Sequence, residues 1–438
     1  MIQDIWRLLL LTTIIHPPHN FFKNGGIVLF DSIIIGGGAS GLSTAIMIKR
    51  RCPDLNIGIF EQLDRVGKKI SVTGNGRCNI TNRNIKDQNY YSAQKTLAMQ
   101  ILSDFSPFNT KDFFAELGVE MCFEGNKAFP RSFQASSVVD ALRFSATNIG
   151  IQIFTSSKVL KINTQDNYFS LMVENSDSGA NTAKTRTVVI ATGGLAGGSK
   201  LGSNGDGYKF LKNFGHNIIP QAPVIVQVKT ENNITKSLKG IKVNADVTVE
   251  RNNKLIANDY GEVLFCDYGL SGPPILQLSR HCKQNTIINL DMFSDMKSNE
   301  LAELISNRRK IFTGIPLTEF FAGLLHKRIG QAVLKSCNIS IANDCSTLKN
   351  DDCQKIARAL KKFSFKVTGN TGFVNAQATS GGADLKDFNK KLMSLKQKGL
   401  FAVGEVLDVD GDCGGYNLQW AWSSANTVAN SIISFLER

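Results

Sequence analysis

Short apolar runs that end in glycine recur along this chain. Asp31-Ser-Ile-Ile-Ile35 is the first, and an unbroken run of this kind predicts a buried parallel strand. Gly36-Gly-Gly-Ala-Ser-Gly41 follows at once, and Leu42, Ala45, Ile46 and Ile48 continue as a helix. A second run, Asn56 to Phe60, stops at Glu61, which completes a βαβ unit. Ser136 to Gly150 predicts a helix, Ile151 to Val173 strands with a hairpin, and Thr187 to Thr192 another buried strand, ending at Gly193-Gly194. Leu400-Phe-Ala-Val-Gly404 repeats the strand-into-glycine pattern late in the chain. Leu418 to Leu436 then reads as a terminal helix with positions 418, 421, 425, 428, 432 and 436 on one face.

Between these parts the period changes. Val224, Val226 and Val228 alternate, as do Val243, Ala245, Val247 and Val249, and Arg251-Asn-Asn-Lys254 has the composition of a hairpin turn. Glu262–Cys266, Thr286–Leu290 and Phe363–Thr368 are further strands, whereas Ser298 to Lys361 is helical in pattern. The expected fold is α/β. A Rossmann-like dinucleotide-binding domain covers 30–221 and 371–438. It is interrupted by an antiparallel β-barrel-like insert (222–296 and 362–370) and a helical insert (297–361). Residues 1–29 are an N-terminal extension; its apolar stretch, Ile5–Ile15, contains Arg7 and is too short to span a bilayer. We therefore expect no stable membrane association.

Composition adds two constraints. Lys plus Arg number 50 against 37 Asp plus Glu, a net charge of +13 that favours polyanionic partners or reflects a solvated basic surface. The nine cysteines form no CxxC pair and the five histidines no HExxH, so neither a disulfide framework nor a metal site is expected. A reducing, cytoplasmic setting fits this cysteine usage.

Gly36, Gly38 and Gly41 form GxGxxG in its required context, with a strand before, a helix after and Glu61 about twenty residues on. Gly36 permits the turn, Gly38 admits a pyrophosphate, and Gly41 lets helix and strand pack closely. The helix N-terminus offers free N–H groups to phosphates, and Glu61 can accept from ribose hydroxyls. Thr192-Gly193 and Gly404-Glu405, each after an apolar strand, resemble the two later motifs of flavoproteins, which implies FAD rather than NAD. No second GxGxxG unit follows, so a reductant such as NAD(P)H would visit only transiently.

Further motifs are more specific. Gly67-Lys-Lys-Ile70, Thr73-Gly-Asn-Gly-Arg-Cys-Asn79, Gly202-Ser-Asn-Gly-Asp-Gly207, Tyr268-Gly-Leu-Ser-Gly-Pro273, Ala378-Thr-Ser-Gly-Gly382, Gly404-Glu-Val-Leu-Asp408 and Gly414-Gly-Tyr-Asn-Leu-Gln-Trp420 together resemble the YhiN/BaiN-type family. This is the family of NAD(P)/FAD-dependent oxidoreductases also called the aminoacetone oxidase family. The resemblance runs from about Phe30 to the C-terminus. Asn75 departs from it, standing where many relatives carry glycine, and Leu392–Lys396 is a loose match. The resemblance implies that Gly36, Gly38, Ala39, Ser40, Gly41, Glu61 and Gln62 hold the ADP half of FAD, with Lys68 and Lys69 near phosphate or ribose. It implies that Val159 presents backbone to adenine and that Ala191, Thr192 and Gly193 line the cofactor. Gly404 and Glu405 would meet the ribityl chain. Gly76, Asn79, Gly415, Tyr416 and Asn417 would surround the flavin ring.

Three residues are candidates for chemistry. Cys78 is either a proton donor beside the flavin, with Arg77 lowering its pKa, or a small residue packing the loop. Arg77 binds a substrate anion or forms a structural salt bridge. Tyr416 hydrogen-bonds the flavin or packs. Asp408, Asp410 and Asp412 offer either acid–base pairs or turn and cap bonds.

Some family members resemble ribosomal RNA dihydrouridine synthases, which implies hydride delivery from flavin N5 to a uracil of large-subunit rRNA. The basic charge would then serve phosphates, with Arg308-Arg309-Lys310 and Lys361-Lys362 as an RNA surface or as solvated faces. A small-molecule flavoenzyme (an amine oxidase of aminoacetone type, or an enone reductase) is the alternative. A flavin-carrying ribosome-binding protein is a third.

Overall fold

The computed structural model describes residues 29–176, 179–231 and 234–437. Apart from Leu29, the expected N-terminal extension lies outside the described residues. The chain divides into two compact units, one comprising the chain up to Gly194 with Ser199–Gln221 and Gly381–Arg438, the other Leu195–Gly198 with Ala222–Ser380.

The first unit is built on a seven-stranded sheet. Strand β1 (Leu29–Ile35) leads through the glycine turn into helix α1 (Ala39–Arg51) and then strand β2 (Ile57–Phe60). β1 pairs in parallel with β2 on one side and with Gly179–Ile190 on the other. Ile33, Ile34, Ile57 and Ile59 are wholly buried, since helices cover parallel sheets on both faces and their strands need no polar side. The hairpin Ser157–Gln165/Tyr168–Asn175 extends the sheet antiparallel, and Leu400–Ala402 adds a late parallel strand against Val188–Ile190. Register does the essential work. Ile35 lies opposite Ile190, and Ile190 opposite Ala402. The glycines after all three strands therefore meet at one carboxyl edge of the sheet, where α/β folds bind ligands.

The terminal helix, Tyr416–Leu436, is buried on more than the expected face. Leu418 is only half-buried, while Gln419, Ser423 and Ser424 are fully buried. The reason is a polar core that periodicity cannot show. Gln419 accepts from the hydroxyls of Thr81 and Thr110 and donates to the Phe105 carbonyl at 2.8 Å. Ser423 donates to the same carbonyl at 2.7 Å. The helix lies on α1, with Arg51 donating to Asn426 at 2.7 Å.

The second unit holds a closed barrel of six strands in the order 228–230, 269–271, 254–266, 242–251, 287–291 and 363–370. Asn252 and Asn253 turn its longest hairpin with φ of 50° and 59°. Both central residues are left-handed, as hairpin twist demands. Helices Ser298–Ile311, Lys327–Ser336 and Asn350–Lys361 share one hydrophobic core with the barrel: Ile305, Val333 and Ile356 belong to the same cluster as Val247 and Phe365. The two inserts expected separately thus form a single unit, because short amphipathic helices need a partner layer to cover their apolar stripes. Its boundary falls at Ser380 rather than at residue 370. Among the described residues, no helix is long and apolar enough to cross a membrane.

Candidate functional site

The turn between β1 and α1 gives each glycine a separate task. Gly36 has φ +109°, and a Cβ there would stand 2.5 Å from the Ala191 carbonyl oxygen. A Cβ on Gly41 would stand 2.0 Å from the Gly36 carbonyl oxygen, so helix and strand meet only through glycine. At Gly38 a Cβ would meet nothing within 4 Å. Among the described residues nothing fills that side, and Gly38 supplies no side-chain cap to α1. The first turn of α1 also carries no acid, so its N–H groups and positive dipole end are open to an anion.

Glu61 is 8% exposed. Its carboxylate accepts from the Gly37 amide at 2.8 Å and the Leu63 amide at 2.9 Å. These bonds tie the glycine turn to the end of β2, while burial pushes the carboxyl pKa up. Each oxygen keeps a lone pair for a further donor. Gln62 donates to the Gly202 carbonyl and accepts from Asn204, which fixes the 202–206 loop beside the turn. Val159 is buried on the strand whose Ser157 amide donates to the Glu61 carbonyl at 2.8 Å.

Across the sheet edge, a Cβ on Gly404 would stand 2.6 Å from Ser40 Oγ. The Gly404 amide donates to Ser424, and its carbonyl accepts from the Trp420 indole. Glu405 pairs with Lys69 at 2.6 Å, whereas Lys68 pairs with Asp64 at 2.5 Å on the surface. The strand end at Ala191 and Thr192 abuts Gly36, and a Cβ on Gly207 would stand 2.0 Å from Thr192 Oγ1. Gly193 faces open space with φ +70°.

Three polar atoms here are buried without a hydrogen-bond partner among the described residues: Thr192 Oγ1, Asn79 Oδ1 and the Tyr208 hydroxyl. Tyr208 is 7% exposed, and burial, with Glu405 and Asp408 nearby, raises its pKa. Its role was not legible in the sequence, where the Gly202–Gly207 motif was the sole signal. Buried groups of this kind normally find partners. Together with the open side of Gly38 and the uncapped helix, they fit a dinucleotide ligand. Here Glu61, the α1 N-terminus and Gly404 would hold it.

The Thr73–Asn79 loop reaches the start of the terminal helix. Asn75 and Cys78 both have positive φ, 56° and 57°. Asn tolerates that region, which explains how it stands in for glycine. Gly76 is exposed and open. A Cβ on Gly415 would stand 2.6 Å from the Thr81 carbonyl and 2.8 Å from Asn79 Oδ1. Gly415 precedes the terminal helix with φ 96° and no side-chain cap, so a second helix N-terminus is left open.

For Cys78 and Arg77 the structure fits the packing and salt-bridge alternatives. Cys78 has no exposed surface, and burial pushes its thiol up to about 12 rather than down. Arg77 does not activate it, because the guanidinium pairs with Glu124 at 2.5 Å and lies over the rings of Phe129 and Phe133. Tyr416 spends its hydroxyl on the Asn84 carbonyl at 3.1 Å and packs edge-on against Tyr90. Asn417 holds the Gly411 amide and carbonyl. Of the three acids, Asp408 accepts from the Ala93 amide and Asp412 from Asn89 and Tyr91. Both pin neighbouring loops.

The basic runs of the helical insert are also largely spent within the fold. Arg308 donates to the carbonyls of Phe320 and Ala322, and Arg309 to that of Leu348. Lys361 pairs with Asp291 and Lys362 with Glu250.

Residues 30–431 match the HI0933-like protein Rossmann domain family. The chain is 32% identical over 396 residues to the 3-dehydro-bile acid delta(4,6)-reductase of Clostridium scindens, covering 89% of this chain and 95% of that protein. It is 28% identical over 375 residues to the ribosomal RNA dihydrouridine synthase of Escherichia coli, covering 84% and 90%. In fold it is similar to a flavocytochrome c3 fumarate reductase (TM-score 0.51, 14% identity, 100% of this chain and 81% of that one). It is likewise similar to the 3-ketosteroid delta1-dehydrogenase of Sterolibacterium denitrificans (TM-score 0.50, 12% identity, 93% and 99%). The chain thus belongs to the HI0933-like Rossmann family, and is an FAD-dependent oxidoreductase of that family.

Proposed function

We propose that this enzyme reduces a ring carbon–carbon double bond conjugated to a carbonyl, and that its substrate is a uridine of large-subunit ribosomal RNA. Bound FAD would supply hydride transfer at its N5, with NAD(P)H as the reductant. The observation that carries the reading is the carboxyl edge of the sheet. Two helices without side-chain caps start there, beside an unfilled Gly38 and the unpartnered Thr192, Asn79 and Tyr208 atoms.

The chain's own groups divide the work. Glu61 holds the glycine turn through Gly37 and would accept from the ribose hydroxyls. The α1 N-terminus and Ser40 would receive the pyrophosphate. Thr192, Tyr208 and Glu405 would face the cofactor beyond the glycine turn, and Asn79 with the Gly415–Tyr416 helix start would hold its polar end, where a helix dipole favours negative charge. Cys78 packs the loop as a neutral thiol.

The net charge of +13 and the similarity to a ribosomal RNA dihydrouridine synthase support the RNA substrate. Dihydrouridine in large-subunit rRNA from wild-type and gene-deleted cells, measured by mass spectrometry of nucleoside digests, tests it. Loss on deletion and return with the gene are expected; unchanged dihydrouridine overturns the RNA reading. The higher identity to a bile acid reductase, 32% against 28%, favours a small-molecule enone reductase as the second reading. Oxidation of NAD(P)H on addition of conjugated steroid enones would report it.

A further inference from the structure

We propose that the small sheet formed by Thr81–Asn82, Lys127–Pro130 and Met121–Glu124 is the docking surface for single-stranded RNA, an inference that rests on the RNA reading above. The sheet belongs to the same unit as the glycine edge. Its first strand forms a wall of the terminal helix start: the Thr81 carbonyl crowds Gly415, and Asn82 donates to the Gly414 carbonyl at 2.9 Å. Lys127 comes as near, its Cε 3.2 Å from where a Gly414 Cβ would stand.

What this sheet displays is suited to bases and phosphates. The Arg83 guanidinium lies 3.3 Å over the Phe123 ring and is exposed. Arg77, paired with Glu124, lies over the rings of both Phe129 and Phe133, at 4.3 Å and 4.6 Å, and Phe133 is 38% exposed. Unstacked bases lodge on aromatic rings and guanidinium planes of this kind. Around them Arg83, Lys127 and Arg131 are exposed and form no ion pair among the described residues. Their charge is left for phosphates. The cations of the helical insert that the sequence pointed to are instead held by carbonyls and acids of their own unit. The platform therefore gives a base a place to leave its stack within reach of the second helix start, as chemistry on a base requires.

The test uses the full-length FAD-loaded protein and a fluorescein-labelled single-stranded oligouridylate, read by fluorescence anisotropy over a salt series. The triple variant Arg83→Ala, Lys127→Ala, Arg131→Ala is compared with Lys310→Ala, Lys335→Ala, Lys349→Ala, three exposed lysines of the helical insert that carry the same charge change. We expect the first variant to bind about tenfold or more weakly, with the slope of log Kd against log salt smaller by about 2. The control should stay within about twofold, as surface charges that touch no phosphate contribute little. Unchanged flavin absorbance and melting temperature in both variants show that they fold. Equal RNA binding by the sheet variant and wild type, or a loss confined to the control, overturns the proposed surface while leaving the RNA reading intact. Failure of the wild type itself to bind overturns the surface, and the nucleoside digests independently decide the substrate.

Discussion

Replacing single glycines in the 36–41 turn should separate folding from cofactor binding. A methyl group at Gly38 meets nothing within 4 Å among the described residues, and the backbone there, φ −85° and ψ −165°, suits any residue. Gly38→Ala should therefore leave the protein without FAD as stable as wild type or more so by about 0.4–1 kcal/mol, since alanine restricts the unfolded chain. On the proposed reading the same methyl would occupy the space through which a pyrophosphate reaches the α1 N–H groups. Losing one charge-assisted bond there costs about 1.5–3 kcal/mol, or about ten- to a hundredfold in Kd. Gly41→Ala should behave in the opposite way. Its methyl would fall 2.0 Å from the Gly36 carbonyl oxygen, so α1 must shift away from the sheet. Overpacking of that kind costs about 1–3 kcal/mol before any ligand is added. Thermal melts of deflavinated protein give the first quantity and quenching of FAD fluorescence the second. A Gly38→Ala protein that binds FAD like wild type, or that melts early like Gly41→Ala, would refute the assignment of the open side to the cofactor.

Other substitutions test the remaining groups. Tyr208→Phe removes a buried hydroxyl without a partner, so the FAD-free protein should gain up to about 1 kcal/mol while FAD binding weakens; equal FAD affinity would remove Tyr208 from the site. Because its thiol is buried and pushed up to about 12, Cys78 in the folded protein should resist alkylation at pH 8, and Arg77→Gln should leave that resistance intact; rapid labelling, mapped by peptide mass spectrometry, would contradict both points. Asp408 has a raised pKa, chiefly through burial, so its ionisation opposes folding. Its contribution is most favourable below the unfolded value of about 3.9 and is lost as pH rises through the folded value. The melting temperature of Asp408→Asn relative to wild type should thus climb across that window and level off above it, whereas a difference independent of pH would show the carboxyl to be unperturbed.

The parts of this fold that follow from local chemistry were legible in the sequence. The buried runs at Ile33–Ile35 and Val188–Ile190, the GxGxxG turn and the Asn252–Asn253 hairpin each declare themselves through residue type within a few positions. What was not legible depends on partners distant in the chain. Gln419 reads as a polar interruption of an apolar stripe until Thr81, Thr110 and Phe105 are brought to it. Arg77 looks like an activator of Cys78 because the two are adjacent in sequence, yet Glu124 and two phenylalanines hold its guanidinium. Arg308-Arg309 looks like a surface charge run, but carbonyls at the ends of neighbouring segments claim it. Charge and acidity are the properties most easily misassigned in this way, since a single distant partner reverses them and leaves no periodic trace.

The same reasoning explains why two helix starts, and not a set of charged side chains, define the candidate site. The two lysines of the Gly67–Ile70 motif are paired, Lys69 with Glu405 and Lys68 with Asp64. Their charge is partly neutralised before any ligand arrives. The N-termini at Gly38 and Gly415 carry no cap and no acid in their first turns, so their N–H groups retain the capacity to bind anionic groups. Backbone donors also bring no rotamer entropy to be lost on binding, and their positions are fixed by the close packing of Gly41 on Gly36 and of Gly415 on Thr81. A fold that relies on backbone in this way concentrates its sequence signal in glycine, where the motifs lie. On the proposed docking surface, recognition of the substrate would fall to exposed residues such as Arg83, Lys127 and Phe133, whose types alone specify little.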